Sequence, residues 1–320
     1  MGWKGALRSM AAASRAAQRD AQRRHKQLEK ARMTSTAAEA VEDWEDYINN
    51  LIHVHTNTIE PIDWHALANR PGPTEPAFSG LARHQAEAKL NAFKPGFLDF
   101  FQGGSDKIRR RLEAAVTTAT VNDEAAYEAA RVEHAKAFAD WEEDRNLASS
   151  LLHGEAEAIR EVLETQTSLT PDSLIASAIM CSVERGHVHA RLQVRGEDIV
   201  PNMRRKQLAS GRLSESKMPV GQFNEIYQDY VCSVALKTGN DLFCILPVDD
   251  VYVTCLANML NPQTGHHDWT PILSVQFVRE GISKLNMSLI DPSDAMRNFR
   301  HRMEFSKSKG LSWVAPLPFV

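Results

Sequence analysis

SDKIRRRLEAAVTTATVNDEAAYEAARVEHAKAFADWEEDRNLASSLLHGEAEAIREVLETQT, residues 105–167, decides the architecture. It holds no proline, and its one glycine is Gly154. Ile108, Leu112, Ala115, Ala119, Tyr127, Ala130, His134, Phe138 and Trp141 recur at helical spacing. Sixty residues of unbroken helix would run about 90 Å, so a break is expected near His153 and Gly154. Ser105 is the expected cap. A helix of that length needs partners along its seam. The nearest are the upstream helices, which predicts an antiparallel helical hairpin or bundle of coiled-coil character.

Working outward toward the N-terminus, residues 3–33 read as a basic, alanine-rich helix. Lys4, Arg8, Arg15, Arg19, Arg23, Arg24, Lys26, Lys30 and Arg32 face only Asp20 and Glu29, a net charge of +7 (nine minus two). Thr34, Ser35 and Thr36 break it and can cap a second helix over 37–55. That helix is acidic, with Glu39, Glu42, Asp43, Glu45 and Asp46 in its early turns, where they complement the helix dipole. Pro61, Pro71, Pro73 and Pro76 make 58–79 a connector. A helix over 80–93 follows, and then an apolar knot, Phe97 to Phe101, read as a hairpin tip with Gly103 and Gly104 turning the chain.

Beyond about 168 the period changes from 3.6 to 2. Residues 174–184 and 187–195 read as strands around Arg185 and Gly186. A helix is expected within 219–246, and 251–260 and 271–278 read as a second strand pair. Asp291 and Pro292 should open a last helix to about Phe305. The expected class is α+β: an extended helical hairpin or coiled-coil region, then a β-β-α-β-β-α domain. The expected divisions are 1–57, 58–79, 80–167 and 168–320.

Composition bounds function without naming it. A net charge of -4 excludes a chain that coats nucleic acid with its whole surface. No apolar stretch reaches the ~20 residues that span a bilayer, and no secretory h-region stands out. Cys181, Cys232, Cys244 and Cys255 form no CxxC pair and read as reduced thiols in a cytoplasmic protein. No Walker A loop, GxGxxG, HExxH or GxSxG is present, and no cofactor is expected.

Three constellations could carry chemistry. His187 and His189 share a strand face and, with His266, could ligate a metal. Asp249 with Asp250 and Glu197 with Asp198 are acidic pairs beside strands, of the kind a metal-dependent hydrolase or nuclease uses. Arg204, Arg205 and Lys206, with Arg212 and Lys217, form a basic loop. Together with Arg8, Arg15, Arg19, Arg23, Arg24 and Lys26 it could hold phosphates or an acidic protein face. Residues 39–63 hold seven acids and no Lys or Arg, so they are an internal mate for the basic helix.

Several segments also resemble a family of uncharacterised bacterial proteins: YQDYVC at 227–232, LPVD at 246–249, TGH at 264–266, PILSV at 271–275, LIDPSD at 289–294 and HRMEFSKSKG at 301–310, with DW at 63–64 and FKPGF at 93–97. The resemblance implies a bacterial cytoplasmic protein with a coiled-coil region and an α+β domain, and it brings no catalytic residues with it. The expected function is a non-enzymatic scaffold or adaptor, associating with itself or a protein partner through its helices. The alternatives are a nucleic-acid-associated component of genome maintenance or anti-phage defence, and a divergent metal-dependent hydrolase or nuclease.

Overall fold

The computed structural model describes residues 37–94, 104–166, 176–209, 212–260 and 264–319. The basic N-terminal helix and the Phe97 to Phe101 knot lie outside the described residues. Two compact units divide the chain, one of residues up to His65 together with Leu147–Val320, the other Ala66–Asn146.

The second unit is mainly helical. Its elements are the end of α2 (Trp64–Ala68), a proline-rich connector, α3 (Leu81–Ala92) and most of α4 (Gly104–Leu152); α1 (Ala37–Ile52) belongs to the other unit. Helix α4 has 49 residues, about 73 Å of length. It stops where expected: Gly154 takes φ 73°, and the Glu155 N–H reaches back to the Ser150 carbonyl, a glycine-ended helix cap. Helix α5 (Ala156–Gln166) restarts the chain.

The expected partner of α4 was another helix. Between Asp123 and Trp141 it is instead the extended connector, running antiparallel to α4. Trp141 Nε1 donates to the Arg70 carbonyl at 2.9 Å, the Arg70 guanidinium pairs with Asp144 at 2.9 Å, and the Pro73 carbonyl lies 3.2 Å from His134 Nε2. Phe78 meets Tyr127 edge-on at 5.5 Å, and the Asp123 carboxylate accepts from the Ala82 and Arg83 N–H groups. Prolines cannot form a helix here, but they suit an extended strap that follows a groove. The contacting positions Tyr127, His134 and Trp141 repeat every seven residues and so form a single stripe.

In the first unit a six-stranded sheet has the order β1-β2-β5-β6-β7-β8. Its strands are β1 (Ala178–Glu184), β2 (His187–Gln193), β5 (Asp250–Leu260), β6 (His267–Val278), β7 (Arg300–Ser306) and β8 (Gly310–Ser312). Only β2 and β5 are parallel. The first hairpin turns on Arg185 (φ 52°) and Gly186 (φ 85°), two left-handed residues that match strand twist.

Helix α6 (Val220–Ile245) lies on one sheet face. A Cβ on Gly239 would collide with Phe277 of β6, and Cys255 Sγ of β5 reaches the Val231 carbonyl. On its far side His55 bonds Ser233, Lys237 Nζ donates to the Asn57 carbonyl, and Trp64 Nε1 caps the Ile245 carbonyl. The helix is therefore covered on both sides, as its run of apolar residues requires. Tyr230, Val231, Val234 and Leu236 are fully buried, each aliphatic one contributing about 1.5–3 kcal/mol of transfer free energy.

Four expectations are corrected. Helix α4 opens at Gly104, so Ser105 lies within it and does not cap it. The last helix is only α8 (Pro292–Ala295) and one 3-10 turn. Asp291 caps it as expected, through Ser293 and Asp294 N–H. From Arg300 the pattern alternates with period 2, and β7 pairs with β6 in the register Leu273 to Met303. The basic loop is a two-stranded ribbon, β3 (Met203–Gln207) with β4 (Leu213–Lys217). Helix α1 docks on that ribbon: Trp44 Nε1 donates to the Met203 carbonyl and Tyr47 OH to the Ile199 carbonyl. The α+β class stands; the order β-β-α-β-β-α becomes four strands, α6 (with a short α7, Arg279–Ser283, behind β6), and four more strands.

Candidate functional site

Cross-strand partners share a sheet face, so the register assigns the face turned away from α6. It carries Ser182 and Glu184 of β1, His187, His189 and Arg191 of β2, Asp250, Tyr252 and Thr254 of β5, Ser274 and Gln276 of β6, and Arg300 and Arg302 of β7. These positions are polar or aromatic; Met180 and Val278, the cross-strand partners of Arg191 and Asp250, are apolar members of the same face. The opposite face, under α6, holds Val188, Val251, Val253, Leu273, Val275 and Phe277, all buried.

Two hydrogen-bond chains cross this polar face. In the first, Arg300 Nη1 donates to Gln276 Oε1 at 3.3 Å, Gln276 Nε2 to Asp250 Oδ2 at 2.7 Å, and His187 Nδ1 meets Asp250 Oδ1 at 3.3 Å. A carboxylate oxygen accepts, so His187 Nδ1 is the donor in this contact. In the second, His189 Nε2 meets Thr254 Oγ1 at 3.0 Å, Thr254 meets Ser274 Oγ at 3.1 Å, and Ser274 Oγ accepts the Leu317 N–H at 3.0 Å.

His189 is 5% exposed, and its Nδ1 has no hydrogen-bond partner. Glu184 Oε1 stands 3.7 Å away, an ion pair only if the ring is charged. Burial lowers the His189 pKa, Arg191 adds to this, and Glu184 opposes it. Glu184 is itself held below the ordinary range by the Ser182 hydroxyl and then by Arg191.

Residues 313–319 strap this face. The Val314 N–H donates to the Pro271 carbonyl, and Arg302 Nη1 donates to the carbonyls of Ala315 and Pro316 at 3.2 and 3.0 Å. Val314 and Leu317 are buried. The Phe319 ring stacks on His187 at 6.0 Å and stands edge-on to His189 at 5.5 Å and Tyr252 at 4.9 Å.

Of the residues singled out from sequence, His187, His189 and Asp250 meet here. His266 does not: it adjoins His267, which pairs with Leu260 at the far end of β5. Ten strand steps from Asp250 put it about 33 Å away. Among the described residues no group of three or more His, Cys, Asp and Glu is arranged to hold a metal ion. Asp249 is exposed and contributes its carbonyl to the Arg279 N–H, while Glu197 and Asp198 form a 3-10 turn.

On the ribbon, Arg205 pairs with Glu215 at 2.9 Å and Arg204 donates to Ser216, with Lys206 exposed. Arg8, Arg15, Arg19, Arg23, Arg24 and Lys26 lie outside the described residues. Burial pushes the Cys181 and Cys244 thiols up to about 11 and those of Cys232 and Cys255 higher, so they are poor nucleophiles.

Sequence reading missed Tyr252, Thr254, Ser274, Gln276, Arg300, Arg302 and the strap. The signal was present as polar residues at alternate positions of 250–254, 274–276 and 300–302. Set beside known proteins, the chain matches no protein-family model, no curated protein and no solved structure.

Proposed function

We propose that the protein is a scaffold or adaptor whose helical arm associates with a second copy of itself and whose α+β unit supplies recognition. One observation carries this reading. On α4, Ala114, Val121, Ala125, Val132 and Ala139 form a stripe on the side of the helix opposite Tyr127, His134 and Trp141. All five are exposed, Val121 by 57% and Val132 by 70%. The connector covers one side of the helix and leaves this one bare, whereas most helical stability in proteins comes from packing an apolar face. Small residues at spacings of 7, 4, 7 and 7 let two such helices approach closely. No helix of the described residues is long and apolar enough to cross a membrane. A bacterial, cytoplasmic setting is part of the same proposal.

Nucleic-acid association has less support. The ribbon's Arg205 is paired with Glu215, and the helix docked on the ribbon is the acidic α1. Light scattering after gel filtration tests the adaptor reading. Wild type should exceed its monomer mass of 35.8 kDa at micromolar concentration, and Val132→Glu should return it to that mass. A wild-type monomer at every concentration would sink the proposal.

A further inference from the structure

We propose that the polar sheet face is a peptide-binding groove whose ligand is an extended, proline-interrupted segment with an aromatic anchor, presented by another chain. This deepens the recognition half of the adaptor reading and rests on it. The occupant's chemistry is that of residues 314–319, which fill the groove in cis.

The way the strap is held defines what the groove reads. Its sequence is VAPLPF. Pro316 and Pro318 favour an extended backbone and bring no N–H that needs a partner. The two N–H groups at Val314 and Leu317 are taken by the Pro271 carbonyl and Ser274 Oγ, and the carbonyls of Ala315 and Pro316 by the single guanidinium of Arg302. Recognition therefore runs through the main chain and the spacing of the prolines. Specificity falls on the apolar positions: Val314 and Leu317 are buried, and Phe319 enters a box of His187, His189 and Tyr252. An aromatic-lined groove with polar donors is a recurrent solution for binding extended proline-containing peptides.

A second observation separates a binding groove from a simple cover. A segment that served only to cover the sheet would meet an apolar floor. Here the floor beside Tyr252 is polar, His187, His189, Thr254, Ser274, Gln276 and Arg302, and His189, 5% exposed, makes no hydrogen bond at Nδ1, with Glu184 Oε1 3.7 Å away. A buried donor or acceptor without a partner opposes the closed state. Solvent supplies that partner once the strap lifts, which favours exchange of the strap for another segment. The relay from Arg300 through Gln276 and Asp250 holds the His187 ring in place, so the aromatic box persists when the strap leaves.

The probe is a fluorescein-labelled WVAPLPF peptide, the sequence of residues 313–319, titrated by anisotropy against the full-length chain. Phe319→Ala removes the cis anchor while keeping Val314, Leu317 and Arg302. It should bind the probe about tenfold more tightly than wild type, because self-occupancy reduces apparent affinity by the fraction of open groove. Adding Arg302→Ala should abolish that gain. Hydrogen exchange on wild type is the independent measurement: excess unlabelled peptide should speed exchange at Val314 and Leu317. No binding by a folded Phe319→Ala chain, or binding indifferent to Arg302, overturns the proposal. Val132→Glu should leave the titration unchanged, so failure of the groove and failure of the arm are read separately.

Discussion

Gly239 sits in the middle of α6, and replacing it with alanine tests the packing that positions the whole sheet. By helix propensity alone the change should stabilise by about 1 kcal/mol. The structure reverses the sign. A Cβ at Gly239 would stand 2.4 Å from Cδ2 of Phe277, 2.9 Å from Cε2 and 3.1 Å from Cγ. Carbon atoms pack at about 3.5–4.0 Å, so the ring or the helix must move by about 1 Å. Phe277 has no exposure, and its retreat is blocked by Phe299, edge-on at a centroid distance of 4.8 Å. Phe299 is in turn confined by Gly281, where a Cβ would stand 2.8 Å from the ring. Overpacking of this kind costs about 1–3 kcal/mol, and the blocked retreat puts this site at the upper end. Net of propensity, Gly239→Ala should destabilise by about 2 kcal/mol. Urea unfolding followed by far-ultraviolet circular dichroism should show a lower midpoint at unchanged slope. Phe277→Leu should relieve the clash, so the double variant should be more stable than the sum of the two singles predicts. A Gly239→Ala chain more stable than wild type, or strict additivity, would refute the contact between α6 and β6.

Two other expectations follow from buried or bridging carboxylates. Asp123 accepts from both Ala82 and Arg83 N–H, and Gly80 supplies no side-chain cap, so α3 is capped from α4. Asp123→Ala should cost about 0.5–2 kcal/mol, read as faster hydrogen exchange confined to 81–92. Burial pushes the Asp229 carboxyl up to about 6, against the Ser293 hydroxyl and with help from Asp291, Glu225 and Asp294. The folded state then holds this proton more tightly than the unfolded chain does. Its contribution is whole below pH 3.8 and is lost as pH rises through about 6. Asp229→Asn should therefore stabilise at pH 8 and change little at pH 4, by at most about 3 kcal/mol and less after solvent screening. Paired melts at the two pH values check it, and equal effects at both would contradict the assignment.

The long helix and its end were legible because they are local. No proline interrupts 105–152, and Gly154 supplies the left-handed residue that ends it. The hairpin at Arg185 and Gly186, the α6 span and the β5–β6 pair were legible for the same reason. The mistake at 300–306 was one of period: RHRMEFS alternates, but the capping signal of Asp291 and Pro292 suggests a helix that lasts only one turn. The ribbon was missed because Arg204, Arg205 and Lys206 draw attention to charge, while Glu215 lies across a turn.

The candidate site was legible only in fragments. His187 and His189 share a strand face by the two-residue repeat, and that much needs no fold. Whether Asp250 or His266 stands beside them depends on which end of β5 lies next to the start of β2. The parallel register of Val188 with Val251 settles that, and it is a long-range pairing that no local preference encodes.

From the sequence alone came the elements whose cause lies within a few residues: the arm helix, its glycine stop, the strand periodicity, the Asp291 cap. Tertiary structure decided what those elements face. It put a proline-rich strap, not a helix, along one side of α4 between Asp123 and Trp141 and, among the described residues, left Val121 and Val132 on the other side exposed. It also turned alternate polar residues from five strands into one face and laid residues 313–319 across it. Contacts of that kind join residues distant in the chain, His187 and Asp250 being 63 positions apart. They are chosen by the shape and burial of the whole fold, not by the residues that make them.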